Sequence, residues 1–401
     1  MEYATEFLLK LDTELKSFRK IKGRCFTDEE YEKRWNSVTS FLRKQELDTL
    51  IVYGAERAGS AIPWLTGWPV SAEAVLIISL DTEAKLFVQY YNHTPQATAT
   101  AYGASVSWAG PETLQSILSH LSKIKSQSIG FIGKIGFHML TAITQAGYIL
   151  TSLDSWYENI RLLKSETEIK CLKLGAYFSD LAVKSIHDKI EPEMTEHDLV
   201  SLAENSWLRL GGQAHIRYFI STNMDEPDGM VPRQNATGRV ISKNDLIVME
   251  ISGAFRGYAG QVLRSMSMRA EPANWVSEFH EVADKTLKSI ASVLRSGCTM
   301  KEILDAASII EENGFTTCDD LIHGFGGGYL PPILGSKSRP EGKIPDLKLQ
   351  ADMAIVVQPN ITDSTGMRGV QTGALYIITE KGASCLQQSP SGLLTAKSAY
   401  I

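Results

Sequence analysis

The first half of the chain alternates stretches of helical apolar spacing with short apolar runs typical of strands. An amphipathic helix is predicted from residue 1 to about 22, with apolar side chains at Phe7, Leu8, Leu11, Leu15 and Phe18. A second helix is predicted from Thr27. Strands are predicted at 49–53, 74–80, 85–90, 128–132 and 148–150, with helices at 111–124 and 137–146. This alternation predicts an α/β domain over 1–160 that begins with a helical arm.

The pattern changes near residue 161. Ser165-Glu166-Thr167-Glu168 matches a capping box, in which Ser165 and Glu168 each satisfy a free backbone N–H, and a long helix is predicted from there to about Ile190. Further helices are predicted at 195–210, 274–295 and 300–313, and strands around 214–221, 246–268, 353–362 and 368–380. Residues 161–401 are therefore predicted to form an α+β domain.

Composition narrows the class of protein. A net charge of −6 argues against a nucleic-acid or anionic-membrane surface, and no apolar run reaches the length of a membrane span. The acidic start of the sequence lacks the basic region of a signal peptide. Five scattered cysteines without a Cys-x-x-Cys pair suit reduced thiols. We expect a cytoplasmic protein that acts on a small molecule and binds neither nucleic acid nor membrane.

One acid interrupts the most apolar run of the second half. Glu250 lies in the middle of Leu246-Ile247-Val248-Met249-Glu250-Ile251, which reads as a buried strand entering a hairpin. A carboxylate in such a place must be paired, exposed to a cleft, or used, because burying it alone is costly. From this run alone, a structural and a functional acid are equally good interpretations.

Four more polar residues stand in apolar or glycine-rich surroundings of the same half. His323 precedes a glycine run, Gln261 follows the predicted hairpin, and Gln358 and Gln371 lie in or beside late strands. Each alone is more often a structural residue with satisfied hydrogen bonds. Together with Glu250 they favour one shared cleft.

These five residues, in this order and spacing, resemble the creatinase, prolidase and aminopeptidase P family. The resemblance implies a creatinase-like N-terminal α/β domain, a C-terminal domain of the pita-bread fold, and a homodimer. In the metallopeptidases of that family the five matching positions, Asp, Asp, His, Glu and Glu, hold two divalent metals. Here they are Glu250, Gln261, His323, Gln358 and Gln371. The family's Gly-Tyr before its second Asp is present as Gly257-Tyr258.

The departures from the family pattern predict no metal and no other cofactor. Hard divalent cations require anionic oxygen ligands, and three of the four family carboxylates are neutral amides here. Two histidines that the peptidases place around the site correspond to Arg233 and Leu330. The site is most similar to the metal-independent members, creatinase and ectoine hydrolase; Met249-Glu250-Ile251-Ser252-Gly253 resembles the latter.

The leading hypothesis is a metal-independent enzyme that cleaves a carbon–nitrogen bond of amidine, ureido or amide type. Glu250 is the predicted nucleophile or general base and His323 the predicted proton donor or acceptor. The predicted substrate-binding residues are Arg233, as an anchor for a carboxylate, together with Gln261, Gln358, Gln371, His215 and Tyr258. The alternatives are an inactive binding module, a lyase on the same scaffold, and a residual Xaa-Pro-type peptidase.

Overall fold

A computed structural model describes residues 9–56 and 59–400, which form two compact units. Residues 21–160 make up one unit, and 161–401 make up the other together with the segment before residue 21. The arm was predicted as part of the first domain, but it contacts the second unit: the Phe18 ring lies 5.9 Å from that of Phe255, and the Lys10 amide donates to Gln388. Helix α1 spans only Thr13–Phe18, and residues 1–8 of the predicted helix lie outside the described residues.

The first unit is built on one mixed sheet. Its strands are β1 Thr49–Ala55, β2 Glu73–Ser79, β3 Lys85–Val88, β4 Ser105–Trp108, β5 Ser128–Ile132 and β6 Ile149–Ser152. Its helices are α2 Asp28–Lys44, α3 Ala61–Thr66, α4 Thr94–Thr100, α5 Thr113–Ile124, α6 Phe137–Gln145 and α7 Asp154–Ile160. The strand order is β4-β3-β2-β1-β5-β6, with parallel pairs β3/β4, β1/β5 and β5/β6. The apolar runs predicted every strand except β4, an edge strand in which Val106 and Trp108 alternate with serines.

The second unit combines long helices with three antiparallel-rich sheets. Its helices are α8 Glu166–Lys189, α9 Glu196–Trp207, α10 Asn274–Val293, α11 Met300–Ala306 and α12 Ile309–Glu312. Its longer strands are β7 Gln213–Asn223, β8 Asp245–Phe255 and β9 Tyr258–Ser267. The later strands are β10 Thr316–Thr317, β11 Ile322–Phe325, β12 Tyr329–Leu334, β13 Ala354–Val357, β14 Ile361–Thr362, β15 Gly369–Val370, β16 Ala374–Ile378, β17 Ala383–Cys385 and β18 Leu394–Thr395. The predicted helix 300–313 is split at Ser308, a residue type that favours helix starts over helix interiors.

The β8–β9 hairpin lies at the centre of the second unit. Every residue of both strands is buried, and a two-residue turn joins them at Arg256 and Gly257, which both have positive φ. Paired positive φ values give the turn whose twist matches that of the strands. The sheet order is β18-β9-β8-β7.

Helix α8 covers one face of this hairpin at very close range. A Cβ added to Gly260 would lie 2.0 Å from the Ala176 nitrogen, and one added to Gly253 would lie 2.8 Å from Phe178 Cβ. The predicted capping box is confirmed: Ser165 and Glu168 exchange hydrogen bonds at the start of α8. Because side chains alternate along a strand, the opposite face of the hairpin carries Glu250 and Gln261.

That opposite face meets the second sheet of the unit, in the order β12-β11-β13-β16-β17. A bridge between Leu263 and Gly373 ties β9 to the segment that leads into β16. Polar residues at the ends of β11, β13 and β15 are thereby brought against the hairpin. Within the described residues, no helix is both long and apolar enough to cross a membrane.

Candidate active site

The five predicted site residues converge on one buried cluster. On the hairpin, Gln261 Nε2 donates to Glu250 Oε1 at 3.0 Å. The same Nε2 donates to Gln358 Oε1 at 2.9 Å, so Gln261 joins the hairpin to the end of β13. Gln261 is fully buried, whereas Glu250 keeps 8% of its surface exposed. Glu250 is therefore the more accessible of these two residues.

The hydrogen-bond chain continues from Gln358 to a residue that the sequence analysis did not select. Gln358 Nε2 donates to Asp320 Oδ1 at 3.4 Å, and the Tyr329 hydroxyl donates to the same oxygen at 2.9 Å. The Tyr329 ring stacks on His323 with 3.7 Å between ring centroids. Hydrogen bonds thus connect Glu250 with Asp320 and Tyr329, and the stacked Tyr329 ring connects this network with His323.

Gln371 is fixed by its backbone rather than by its side chain. Its N–H donates to Ser265 Oγ at 2.9 Å, and its carbonyl accepts from that hydroxyl at 3.0 Å. Ser265 is on β9, on the same face as Gln261. The Gln371 amide is near enough to Glu250 to affect its pKa, yet its Nε2 has no hydrogen-bond partner of normal geometry.

The two acids of the cluster have raised pKa values. Burial and the nearby charge of Asp320 raise the pKa of Glu250 to about 7, against a lowering contribution from Gln371. Burial likewise raises the pKa of Asp320 to about 6, although the Tyr329 hydroxyl favours the charged form. Burial also raises the pKa of the neighbouring Asp319, whose carboxylate accepts from Asn360. Near neutral pH, Glu250 can therefore be converted between acid and base at little cost.

His323 is neutral near pH 7, and its tautomer follows from its surroundings. Burial lowers its pKa to about 4. Nδ1 lies 3.1 Å from the Gly324 carbonyl, an acceptor only, so Nδ1 carries the hydrogen. Nε2 is then a lone-pair acceptor without a hydrogen-bond partner of normal geometry, although the Gln358 amide is near enough to His323 to affect its pKa.

Arg233, the predicted carboxylate anchor, donates to the buried carboxylate of Glu196. Burial alone would raise the pKa of Glu196, but hydrogen bonds from Ser221 and Thr237 outweigh it and keep that pKa low. Glu196 is therefore ionised near neutral pH and forms an ion pair with Arg233. The role of Arg233 in substrate binding stays a prediction.

Neither His215 nor Tyr258 hydrogen-bonds to the cluster in the described structure. The Tyr258 hydroxyl donates to Glu168 at 2.7 Å, and Tyr258 lies on the hairpin face that α8 covers. His215 is more exposed, and its ring packs edge-on against Phe325, which packs in the same way against His323. The Phe325 ring thus lies between His215 and His323. The Tyr258 hydroxyl connects the tip of the hairpin to Glu168 on α8.

Asp320 and Tyr329 are the residues that sequence reasoning missed. The available signal was the pair Asp319-Asp320 directly before Leu321-Ile322-His323, an acid pair at the start of a buried strand. Tyr329 closes the glycine run Gly326-Gly327-Gly328, whose three positive φ values turn the chain back so that Tyr329 pairs with Phe325. Only the fold shows that both residues reach the cluster.

The donor set does not fit the paired metals that the resemblance implies. Of the five matched positions, Glu250 offers a carboxylate and His323 an imidazole, and the other three are amides. Each missing carboxylate removes several kcal/mol of attraction for a divalent ion, at an effective dielectric constant of about 20. The side-chain NH₂ group of Gln261 donates to Glu250 Oε1 and to Gln358 Oε1. Gln261 and Gln358 are therefore hydrogen-bonded to each other at two positions where the metallopeptidases of the family have metal ligands. Among the described side chains, no group of three or more His, Cys, Asp or Glu is arranged to hold a metal.

Two family models together match most of the chain. The model of metallopeptidase family M24 matches residues 170–380, and the model of the creatinase/prolidase N-terminal domain matches residues 34–163.

The chain is also similar to individual proteins. It is 23% identical over 405 residues to the uncharacterized hydrolase/peptidase y4tL of Sinorhizobium fredii, which covers 93% of this chain and 98% of the relative. It is 22% identical to the Xaa-Pro dipeptidase of Pyrococcus furiosus, over 67% of this chain and 76% of the relative. The solved structure of the Xaa-Pro dipeptidase from Bacillus anthracis superposes with a TM-score of 0.78 at 20% identity, covering 92% of this chain and 100% of that one. Similarity at this level of identity shows a shared fold.

Proposed function

The chain belongs to metallopeptidase family M24, a family of hydrolases, and we propose that it hydrolyses a carbon–nitrogen bond of a small polar molecule without a metal. The observation that supports this most directly is the Glu250 carboxyl group. It is buried with 8% of the residue exposed, it is oriented by Gln261, and it has a pKa of about 7. A structural acid at this depth is normally paired with a cation, and the hydrogen bonds of Glu250 come from amides.

Glu250 starts the reaction, either as general base or as nucleophile. In its ionised form it either removes a proton from water, so that the water oxygen adds to the sp² carbon of the substrate, or attacks that carbon itself. The carbon–nitrogen bond then breaks. When water is the nucleophile, Glu250 passes the proton that it removed from water to the departing nitrogen; when Glu250 itself attacks, a water molecule protonates that nitrogen, and the hydroxide left over cleaves the bond between the Glu250 oxygen and the substrate carbon. Gln261 donates to Oε1 throughout and keeps the carboxylate in one orientation.

His323 and the amides orient the substrate. The Nε2 lone pair of His323 accepts an N–H of the substrate, since the other ring nitrogen is committed to Gly324. The Gln371 amide offers a donor to the oxygen or nitrogen on which charge develops. This mechanism gives Arg233 and Tyr258 no role.

The test is turnover of amidines, ureido acids and N-acyl amino acids, with and without a chelator, alongside metal analysis of the purified protein. We expect activity that survives chelation, and a loss of at least about a hundredfold in kcat for Glu250→Gln, as for other general bases. A matched control is Glu204→Gln, which removes a partly exposed acid paired with Arg217 in the same unit. It should retain activity. Complete loss of activity on chelation, or full activity in Glu250→Gln, would contradict the proposal.

A second candidate is hydrolysis of an Xaa-Pro dipeptide, because relatives of this chain carry that name. Its amide bond is the same type of carbon–nitrogen bond, so Xaa-Pro dipeptides belong in the substrate panel. Turnover of a dipeptide that requires added Mn²⁺ or Co²⁺ would favour this candidate over the metal-independent one.

A further inference from the structure

The glycine turn between β11 and β12, residues Gly326, Gly327 and Gly328, has no side chains with which to hold its own shape. The three φ values are 138°, 65° and 120°, in a region that residues with side chains rarely adopt. One hydrogen bond within the turn joins the Gly326 N–H to the Gly328 carbonyl at 3.1 Å. Glycine loses more backbone freedom on folding than any other residue. The shape of the turn therefore depends on groups that contact it from outside.

Arg161 and Lys164 contact the glycine turn from the interior of the second unit. Both are buried, with 4% and 5% of their surfaces exposed. Arg161 Nη2 donates a hydrogen bond to the Gly326 carbonyl. A Cβ added to Gly327 would collide with the same guanidinium group, and one added to Gly326 would lie 2.5 Å from Lys164 Cε. Two buried basic side chains thus lie directly against the turn.

The segment that carries these two side chains is itself fixed. Lys164 Nζ donates to the Arg161 carbonyl at 2.6 Å. The Lys164 N–H donates to the Asp352 carbonyl at 3.0 Å, and Leu163 forms an antiparallel bridge with Met353, the residue before β13. Because β13 pairs with β11, Arg161 contacts the turn from a fixed position beside the same sheet.

The shape of the turn determines where Tyr329 lies. Tyr329 directly follows the glycines; its hydroxyl donates to Asp320, and its ring stacks on His323. Tyr329 is 47% exposed, whereas His323 is fully buried beneath it. A side chain exposed to this extent is held largely by its backbone. The stacking on His323 and the hydrogen bond to Asp320 therefore depend on what holds the turn.

We propose that Arg161 is a positioning residue of the site, which holds the glycine turn through the Gly326 carbonyl and thereby keeps Tyr329 against His323 and Asp320. The effect on turnover rests on the proposed function, in which His323 accepts an N–H of the substrate. Burial lowers the pKa of Lys164 to about 7, so Arg161 is the one of the two basic residues that stays charged throughout the neutral range. Hydrogen bonds from a charged donor are stronger than those from a neutral one.

The test is the NMR signal of the His323 ring in the full chain with isotope-labelled histidines, of which the sequence has eight. The signal is identified by its loss in His323→Gln. In wild type the stacked Tyr329 ring should shift this signal upfield, and Tyr329→Ala should remove the shift. Arg161→Met removes the donor and should move the signal by at least about half as much as Tyr329→Ala does, in the same direction.

Arg34→Met is the matched control. Arg34 is an arginine of similar burial that also donates to a backbone carbonyl, that of Trp64, but it lies in the first unit. Its replacement should leave the His323 signal at the wild-type position. A signal that moves equally in Arg34→Met and Arg161→Met would overturn the proposal, since the shift would then report general loosening of the protein.

A His323 signal at the wild-type position in a folded Arg161→Met would also overturn it. If Arg161→Met does not fold, Gly327→Ala tests the same contact from the turn, because its added Cβ collides with the Arg161 guanidinium. The His323 signal should then move toward its position in Tyr329→Ala. A signal that does not move in Gly327→Ala would contradict the proposal in the same way.

Activity distinguishes this role from the proposed function. Arg161→Met should lower kcat by about tenfold, because the side chains that orient the substrate lose their support. In a Tyr329→Ala background the same change should lower kcat by less than about twofold, since both changes release the same ring. A displaced His323 signal with an unchanged kcat would overturn the role in the reaction. A wild type without turnover would refute the proposed hydrolysis, while the His323 signal would still decide whether Arg161 positions Tyr329.

Discussion

The Glu250 side chain combines two properties that oppose each other. Its burial on β8 disfavours the charged form, and the chemistry proposed for it needs that form. The surrounding amides lower the cost of ionisation without removing it. Such a residue is expected to reduce stability where it is ionised, because functional sites often retain groups that are unfavourable for folding.

Glu250→Gln should therefore stabilise the protein at high pH. Folding raises the pKa of Glu250 from 4.5 to about 7, so its contribution to stability is fully present below about pH 4.5 and is lost as the pH rises to about 7. A neutral glutamine does not titrate. At pH 8 the variant should be more stable by up to about 3 kcal/mol, and near pH 4.5 by little. Thermal unfolding of both proteins at the two pH values measures this; lower stability of Glu250→Gln at pH 8 would contradict it.

The pH dependence of activity should follow the same carboxyl group. Because the base must be ionised, kcat/KM should rise about tenfold per pH unit below about pH 7 and level off above it. Asp320→Asn removes the nearby charge that raises the Glu250 pKa, so its ascending limb should move to lower pH. Profiles of kcat/KM for wild type and Asp320→Asn check this, and coincident midpoints would show that Asp320 does not influence the titrating group.

At the scale of elements, the site depends on how closely α8 approaches the β8–β9 hairpin. Glycines on both elements allow this approach: an added Cβ at Gly175 would lie 2.7 Å from the Gly260 nitrogen, and one at Gly260 would lie 2.0 Å from the Ala176 nitrogen. These neighbours are backbone atoms, which cannot rotate away. The hairpin can therefore accept a Cβ there only by moving, and its other face carries Glu250 and Gln261.

Gly260→Ala should consequently destabilise the second unit and disturb the site. We expect a loss of about 1–3 kcal/mol or more, the usual range for overpacking a rigid contact. The control is Gly238→Ala in the same unit, where an added Cβ meets nothing within 4 Å. Thermal unfolding and kcat of the two variants distinguish the effects; equal stability of both would show that the helix and hairpin can separate without cost.

At the scale of the molecule, each unit has its own hydrophobic core. Two apolar clusters lie wholly between residues 38 and 157, and a third lies wholly between residues 162 and 393. The site residues and the network that joins them all belong to the second unit. The homodimer implied by the family resemblance stays a prediction, for which light scattering of the intact protein is the measurement.

Residues 21–160 should fold when expressed alone, because the sheet and the two apolar clusters that the structure describes there lie within these residues. Residues 161–401 alone should be less stable than the same residues within the full chain, since they lose the packing of Phe18 on Phe255 and the bonds of Lys10 to Gln388. Cooperative thermal unfolding of each fragment tests both statements. A fragment 21–160 without a cooperative transition would contradict the first.

The pita-bread family and the two-domain fold were predictable because their signals are local or ordered along the chain, and the comparisons confirm both predictions. The Ser165 capping box and the acid within the Leu246–Ile251 run needed no tertiary information. Asp320 could not be identified in this way, because its importance arises from Gln358, which follows a different strand. Tyr258 shows a different case: a family motif selected it, its hydroxyl donates to Glu168, and its role in substrate binding stays a prediction.

The pairing of strand β9 has a consequence for the synthesis of the protein. One edge of β9 pairs with β8 as soon as the hairpin forms, but the other is covered by Gly373 and by β18 at Leu394–Thr395, well over one hundred residues later. At ribosomal rates of 5–20 residues per second, that edge waits roughly 6–25 seconds for its partners. An uncovered apolar strand edge is a template for aggregation. We therefore expect this hairpin, which carries Glu250 and Gln261, to be a part of the nascent chain that needs a chaperone.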